Sequence, residues 1–267
     1  RAMAELALSC FPAPPRAPCC DSRQAAVALA ACECQGGGAP EATAFRLSVP
    51  DAYDEEDSAG PLQPRAASAL GGELYTGQWK GSLRHGHGRL VGEDGSVFEG
   101  SFFDGEFCGE GVFRSPPGHR YEGQWLHGKR HGQGVYRHAS GARFEGSWRG
   151  GLKEGPGAEH YADGSVYSGE YAQGLKHGRG RYEYASQGVS YSGQFVADAL
   201  HGEGTYTFSD GRVYAGQWRD GHMSGAGRMT WPSGNCYEGQ YEQDLKHGSG
   251  RFEWPDGRVY VGTWHRG

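Results

Sequence analysis

The sequence predicts an all-β fold: an elongated, solenoid-like stack of antiparallel β-hairpins behind a mostly disordered N-terminal segment. Three observations carry this. Glycine makes up 48 of the 267 residues, yet Tyr, Phe and Trp together reach 12%, and a disordered Gly linker is aromatic-poor. An aromatic–Gly–aromatic pattern recurs every 23 residues. Within each recurrence, large apolar and polar side chains alternate with the period of a strand.

Residues 1–70 contain 8 of the 13 Pro, 5 of the 7 Cys and no Trp. Such a segment buries too little apolar surface to offset its ordering entropy. The Ala-rich stretch from Gln24 to Cys32 is a marginal helix at most, because isolated helices that short are unstable in water. Cys10, Cys19, Cys20, Cys32 and Cys34 lack paired Cys-x-x-Cys spacing and read as free thiols in a reducing tail rather than a zinc or disulfide framework. The chain begins at Arg1 and stops at Gly267 within the recurring pattern, so it reads as a fragment.

From residue 71 onward the chain is one object repeated. Units start at Tyr75, Phe98, Tyr121, Phe144, Tyr167, Tyr191, Tyr214, Tyr237 and Tyr260, spaced by 23 residues except for one step of 24. Counting these starts as zero, Gly stands at offset 2 (Gly77, Gly123, Gly216) and an aromatic at offset 4 (Trp79, Trp125, Trp218). The eight complete units share Gly-x-Gly at offsets 11 and 13, and the ninth is truncated. Rings and glycines face one side of each strand, and the gap left by Gly is covered by a neighbouring ring. A Gly or Asp at offset 7, and dipeptides such as Asp94-Gly95, place two turns per unit. The extra residue falls near Ser186-Gln187-Gly188, in a turn, where insertions are tolerated. One hairpin is too small to stand alone, but stacked units share a continuous stripe of rings. At two strands per unit, eight units span roughly 80 Å.

The pattern Tyr-x-Gly-x-Trp, a Gly at offset 7 and then His-Gly-x-Gly resembles the MORN repeat (membrane occupation and recognition nexus), most closely from Tyr121 to Tyr136. The resemblance covers residues 75–267. It implies stacked hairpin sheets, used as scaffolds alone or attached to other domains, among them plant-type phosphatidylinositol phosphate kinases. Cys108, Glu154 and Ser224 replace the His of three units.

Basic residues recur at or near the first turn: Lys80, Arg84, Lys129, Arg130, Lys153, Lys176, Arg219 and Lys246. Placed on one edge, they form a ladder of candidate contacts to anionic phospholipid or a protein partner; the competing reading is a solvated edge that blocks sheet aggregation. His85, His131, His177, His201 and His247 share one offset. Equivalent atoms in adjacent units lie roughly 10 Å apart, too far to share a zinc, so these imidazoles are expected to bond turn backbone or pack on rings.

A net charge of -6 argues against nucleic acid. No phosphate-cradling loop, metal cluster or catalytic constellation stands out, so no cofactor and no enzyme are expected within these residues. The leading expectation is a non-catalytic cytoplasmic scaffold for protein partners, peripheral at a membrane or at a cytoskeletal or ciliary structure. It self-associates through the open edge of the last hairpin, Tyr260 to Trp264. The alternative is the phosphoinositide-binding regulatory region of a larger enzyme.

Overall fold

The computed structural model describes residues 72–185 and 188–267, and for 63–70 the backbone pairing. They form a single sheet of 18 strands: β1 (Gln63–Leu70), β2 (Glu73–Lys80), β3 (Leu83–Val91), β4 (Val97–Phe103), β5 (Glu106–Arg114), β6 (Arg120–Leu126), β7 (Lys129–Arg137), β8 (Arg143–Arg149), β9 (Leu152–His160), β10 (Val166–Ala172), β11 (Leu175–Glu183), β12 (Ser190–Val196), β13 (Ala199–Thr207), β14 (Val213–Arg219), β15 (His222–Thr230), β16 (Cys236–Glu242), β17 (Leu245–Glu253) and β18 (Val259–Trp264). Each strand pairs antiparallel with the next, from β1 with β2 to β17 with β18. No helix occurs among the described residues, so none is long and apolar enough to cross a membrane.

The sheet begins earlier than the boundary at residue 70 read from the sequence. β1 pairs with β2 from Gln63 opposite Trp79 to Leu70 opposite Glu73. Its sequence carries no aromatic–Gly signature. What recruits it is the row of N–H and C=O groups along β2, which a partner strand satisfies. The rest of the N-terminal segment, with its expected disorder and its cysteines, lies outside the described residues.

Glycines from every strand between β2 and β18 line up residue to residue across the sheet, beginning Gly77–Gly88–Gly100–Gly111 and ending Gly250–Gly262. The ring covering each Gly pair is the first aromatic of the same hairpin. A Cβ added to Gly157 would lie 2.6 Å from the Phe144 ring. That first ring also meets the offset-4 ring of its own unit and of the next, edge to face. Tyr121, for example, sits 5.0 Å from Trp125 and 5.4 Å from Trp148, at 86° and 87°. The zigzag runs from Trp79 to Tyr260, and its rings as far as Tyr241 are almost fully buried: Tyr75, Tyr121 and Tyr214 are at most 1% exposed, and Trp79, Trp125 and Trp218 at most 8%, whereas Tyr260 on the last strand is 43% exposed. Edge-to-face pairs add about 0.5–1.5 kcal/mol each beyond area burial, which is why a single layer holds without a second sheet above it.

The two turns of each unit differ in length. The first turn is the two-residue one, and from the second unit onward both its central residues are at positive φ, as at His127 (49°) and Gly128 (69°). The second is longer, closed by bonds such as His138 N–H to Ala142 O (2.8 Å), with one positive-φ Gly. At the insertion Tyr184 donates to Val189 O (3.1 Å), one residue further than at the other seven second turns. The added residue therefore lies in this turn, beside Ser186 and Gln187, which are outside the described residues.

Candidate functional site

The eight basic residues do not form one ladder. Period-2 alternation sends offset 9 to the ring face and offsets 5 and 8 to the opposite face, although all lie near the first turns. Arg84, Arg130, Lys153, Lys176 and Lys246 occupy offset 9, cross-strand from the offset-4 ring, as in Trp125 with Arg130. They lie over rings: the Arg130 guanidinium is 4.2 Å from the Trp148 centroid, and Lys246 Nζ is 4.7 Å from Trp264. Lys153 lies 4.7 Å from Phe144, Lys176 5.6 Å from Tyr167 and Arg84 6.0 Å from Phe102. Burial holds Lys153 and Lys246 below the usual lysine range. Lys80, Lys129 and Arg219 occupy the opposite face.

One ionic cluster on the ring face escaped the sequence reading. Offset 15 carries a large apolar residue in seven complete units, from Leu90 to Phe252, but Glu159 in the fourth. Glu159 accepts from Lys153 Nζ (2.5 Å), Tyr171 OH (2.9 Å) and Tyr161 OH (3.0 Å). Burial alone would raise its pKa, yet Lys153 and these hydroxyls bring it below the usual carboxylate range. The signal in the sequence is a lone carboxylate in a column of large apolar residues, matched by tyrosines at Tyr161 and Tyr171.

The histidine column lies on the opposite face at the turns. His85 Nδ1 accepts from Asp104 N–H (3.4 Å), and Glu154, at the same offset in another unit, accepts from Gln173 N–H (2.9 Å). A His and a Glu thus bond the same backbone position of the following turn. Among the described residues no His, Cys, Asp and Glu group is arranged to hold a metal, and Cys108 and Cys236 are free thiols.

Two recesses among the described residues lie on opposite faces of the sheet. One, about 480 Å³, opens on the ring face over Phe107, Phe113, Tyr121, Trp125 and Tyr136, with Arg130 at its rim. The other, about 810 Å³, lies on the opposite face over the glycine row and is lined by Ser168, Ser192, Thr205, Arg179 and Arg181.

Eight consecutive matches to the MORN repeat cover residues 75–97, 98–120, 121–143, 144–166, 167–189, 191–211, 214–236 and 237–257. The chain belongs to the MORN repeat family. Its repeats match the hairpins closed by β2–β3 through β16–β17. Among solved structures it is similar to the TCP10 domain of Danio rerio CPAP, at 11% identity and a TM-score of 0.40, over 74% of this chain and 94% of that one. It is also similar to the SAS-4 TCP domain of Drosophila melanogaster solved with a proline-rich motif of Ana2, at 9% identity and a TM-score of 0.33, over 77% and 98%. Virginiamycin B lyase from Staphylococcus aureus matches at 11% identity and a TM-score of 0.15, over 75% and 69%. These scores are too low to establish a common fold.

Proposed function

We propose that this MORN-repeat chain is a non-catalytic scaffold that presents an extended single-layer sheet to protein partners, in the cytoplasm at a membrane or cytoskeletal structure. The observation that carries the reading is the ring-face recess of about 480 Å³. It has an apolar floor with Phe107 and Phe113 only partly buried among the described residues. Half-buried rings around an open apolar recess suit an apolar anchor from a partner.

The phosphoinositide reading has weaker support. Five of the eight candidate cations lie over rings, where the charge is partly taken up by the aromatic faces. Lys80, Lys129 and Arg219 are spread over units one to seven, on the order of 60 Å at two strands per unit, too sparse for one headgroup cluster.

The test compares Phe113→Ala with Tyr136→Ala in one chain against the parent, by recovery of protein partners from extract and by vesicle co-sedimentation. Partner recovery that falls at least several-fold in the variant supports the scaffold reading. No partner with either chain, alongside salt-sensitive retention on phosphoinositide vesicles, would refute it and install the lipid reading.

A further inference from the structure

On the face opposite the rings, the last cross-strand pair of each hairpin stands beside the first turn. In six units one member is a large apolar residue that is more than a third exposed among the described residues. Leu126, Leu152, Leu175 and Val196, from four consecutive units, are 41–45% exposed, and Leu83 and Leu245 extend the row toward the first and eighth units. Large apolar groups do not line up in solvent at a fixed pitch by the demands of the sheet, since the ring face already supplies the core.

We propose that this strip binds a second copy of the same chain, antiparallel, about a two-fold axis between the fourth and fifth repeats. The proposal rests on the scaffold reading and names one of its partners. An identical strip is the one surface with the same pitch by construction. In the reversed order, Leu152 faces the other copy's Leu175, Leu126 faces Val196 and Leu83 faces Leu245. Charges fall into place by the same operation. The hairpin end with Lys80 meets the end with Glu242, and the end with Glu106 meets the end with Arg219. Lys129 and Arg149 meet Ala199 and Ala172, with Asp198 and Glu170 nearby in the sequence. The same two strips in parallel, unit on unit, would oppose each of these charges to itself. Like-charge opposition disfavours that register.

The size is modest. Because the two sheets cross, about four central units stay in contact, roughly 40 Å by 10 Å or on the order of 400 Å² per copy, the size of a weak, reversible interface. Sheets packed face to face cross at about 30° because each is twisted. Contact is therefore closest near the axis, and Leu152 and Leu175 carry most of the binding.

The experiment is sedimentation equilibrium of the full 267-residue chain over a wide concentration range. A concentration-dependent dimer is expected. Leu152→Glu with Leu175→Glu should weaken it by about tenfold or more, with the thermal melt of the exposed-site variant unchanged. Glu106→Arg and Arg219→Glu should each weaken the dimer, and the two together should restore it, which a folding defect does not imitate. A monomer at every concentration overturns the proposal. So does a dimer indifferent to the two leucine changes, or one lost only on changing Val259 and Val261 of β18, which places the second copy at the sheet edge. Partner recovery through the ring-face recess with no dimer would leave the scaffold reading intact and reject this inference alone.

Discussion

The two glycines of each Gly-x-Gly are there for different reasons. Gly155 has φ of 78°, and a Cβ there would meet only Ser147, at 3.6 Å or more. Gly157 has ordinary strand φ, but its Cβ would collide with the Phe144 ring at 2.6 Å. Asn tolerates the left-handed region, so Gly155→Asn should cost under about 1 kcal/mol. Gly157→Asn should cost about 3 kcal/mol or more by displacing a core ring; denaturant unfolding of the two variants reads the difference, and equal costs would refute the division of roles. Glu159 gives a second residue-scale test. Glu159→Gln leaves Lys153 buried without its carboxylate and should destabilise by about 3 kcal/mol. Replacing both residues, Glu159→Leu with Lys153→Met, removes the stranded charge and should recover part of that loss, the remainder being the Tyr161 and Tyr171 hydroxyls left without their acceptor. A double variant as unstable as Glu159→Gln would show that the cluster is required by its surroundings.

At the scale of the hairpin, the device is a bulge with its own side-chain cap. The register shifts between Gly123 and Gln124, and the β7 strand turns through Gly132 at φ of 55°. Gln124 Oε1 accepts the Gln133 N–H (3.0 Å), while Tyr121 OH donates to Gln124 O (3.0 Å). The same pair of bonds recurs at Gln78, Gln194, Gln217 and Gln240. Tyr121→Phe and Gln124→Ala should each cost about 1 kcal/mol, and a double-mutant cycle should show coupling, since both bonds hold one bulge; strict additivity would dismiss the shared role. This explains how far the sequence could be read. Hairpins, repeat boundaries and the ring stripe were legible because period-2 patterning and a 23-residue recurrence report strand faces directly. The bulge was not. Offsets 11 and 13 have the same parity, so simple alternation puts Gly132 and Gly134 on one face, whereas the bulge turns Gly132 toward the Gln124 side chain. The single ladder of basic residues fails for a related reason: nearness to a turn fixes an edge, not a face.

At the scale of the molecule, each strand pairs only with its chain neighbours, so stability is a sum of hairpins and the interfaces between them. Tyrosine enters nearly every one of these interfaces. Burial raises the pKa of twelve phenols, from Tyr75 to Tyr241, and Tyr121, Tyr161 and Tyr171 are further raised by nearby carboxylates. The unfolded chain releases these protons near pH 10, and the folded chain keeps them to higher pH. Their contribution is therefore complete below about pH 10 and is lost as pH rises through the raised values, because the unfolded state then binds fewer protons than the folded one. The melting temperature should hold flat through neutral pH and fall steeply from about pH 10 upward. Phenolate absorbance should appear together with the loss of near-ultraviolet circular dichroism, since ionisation of the buried rings requires the stack to open. Phenolate forming fully while that signal persists would mean that the rings ionise inside an intact sheet, and that the zigzag is looser than its edge-to-face distances indicate.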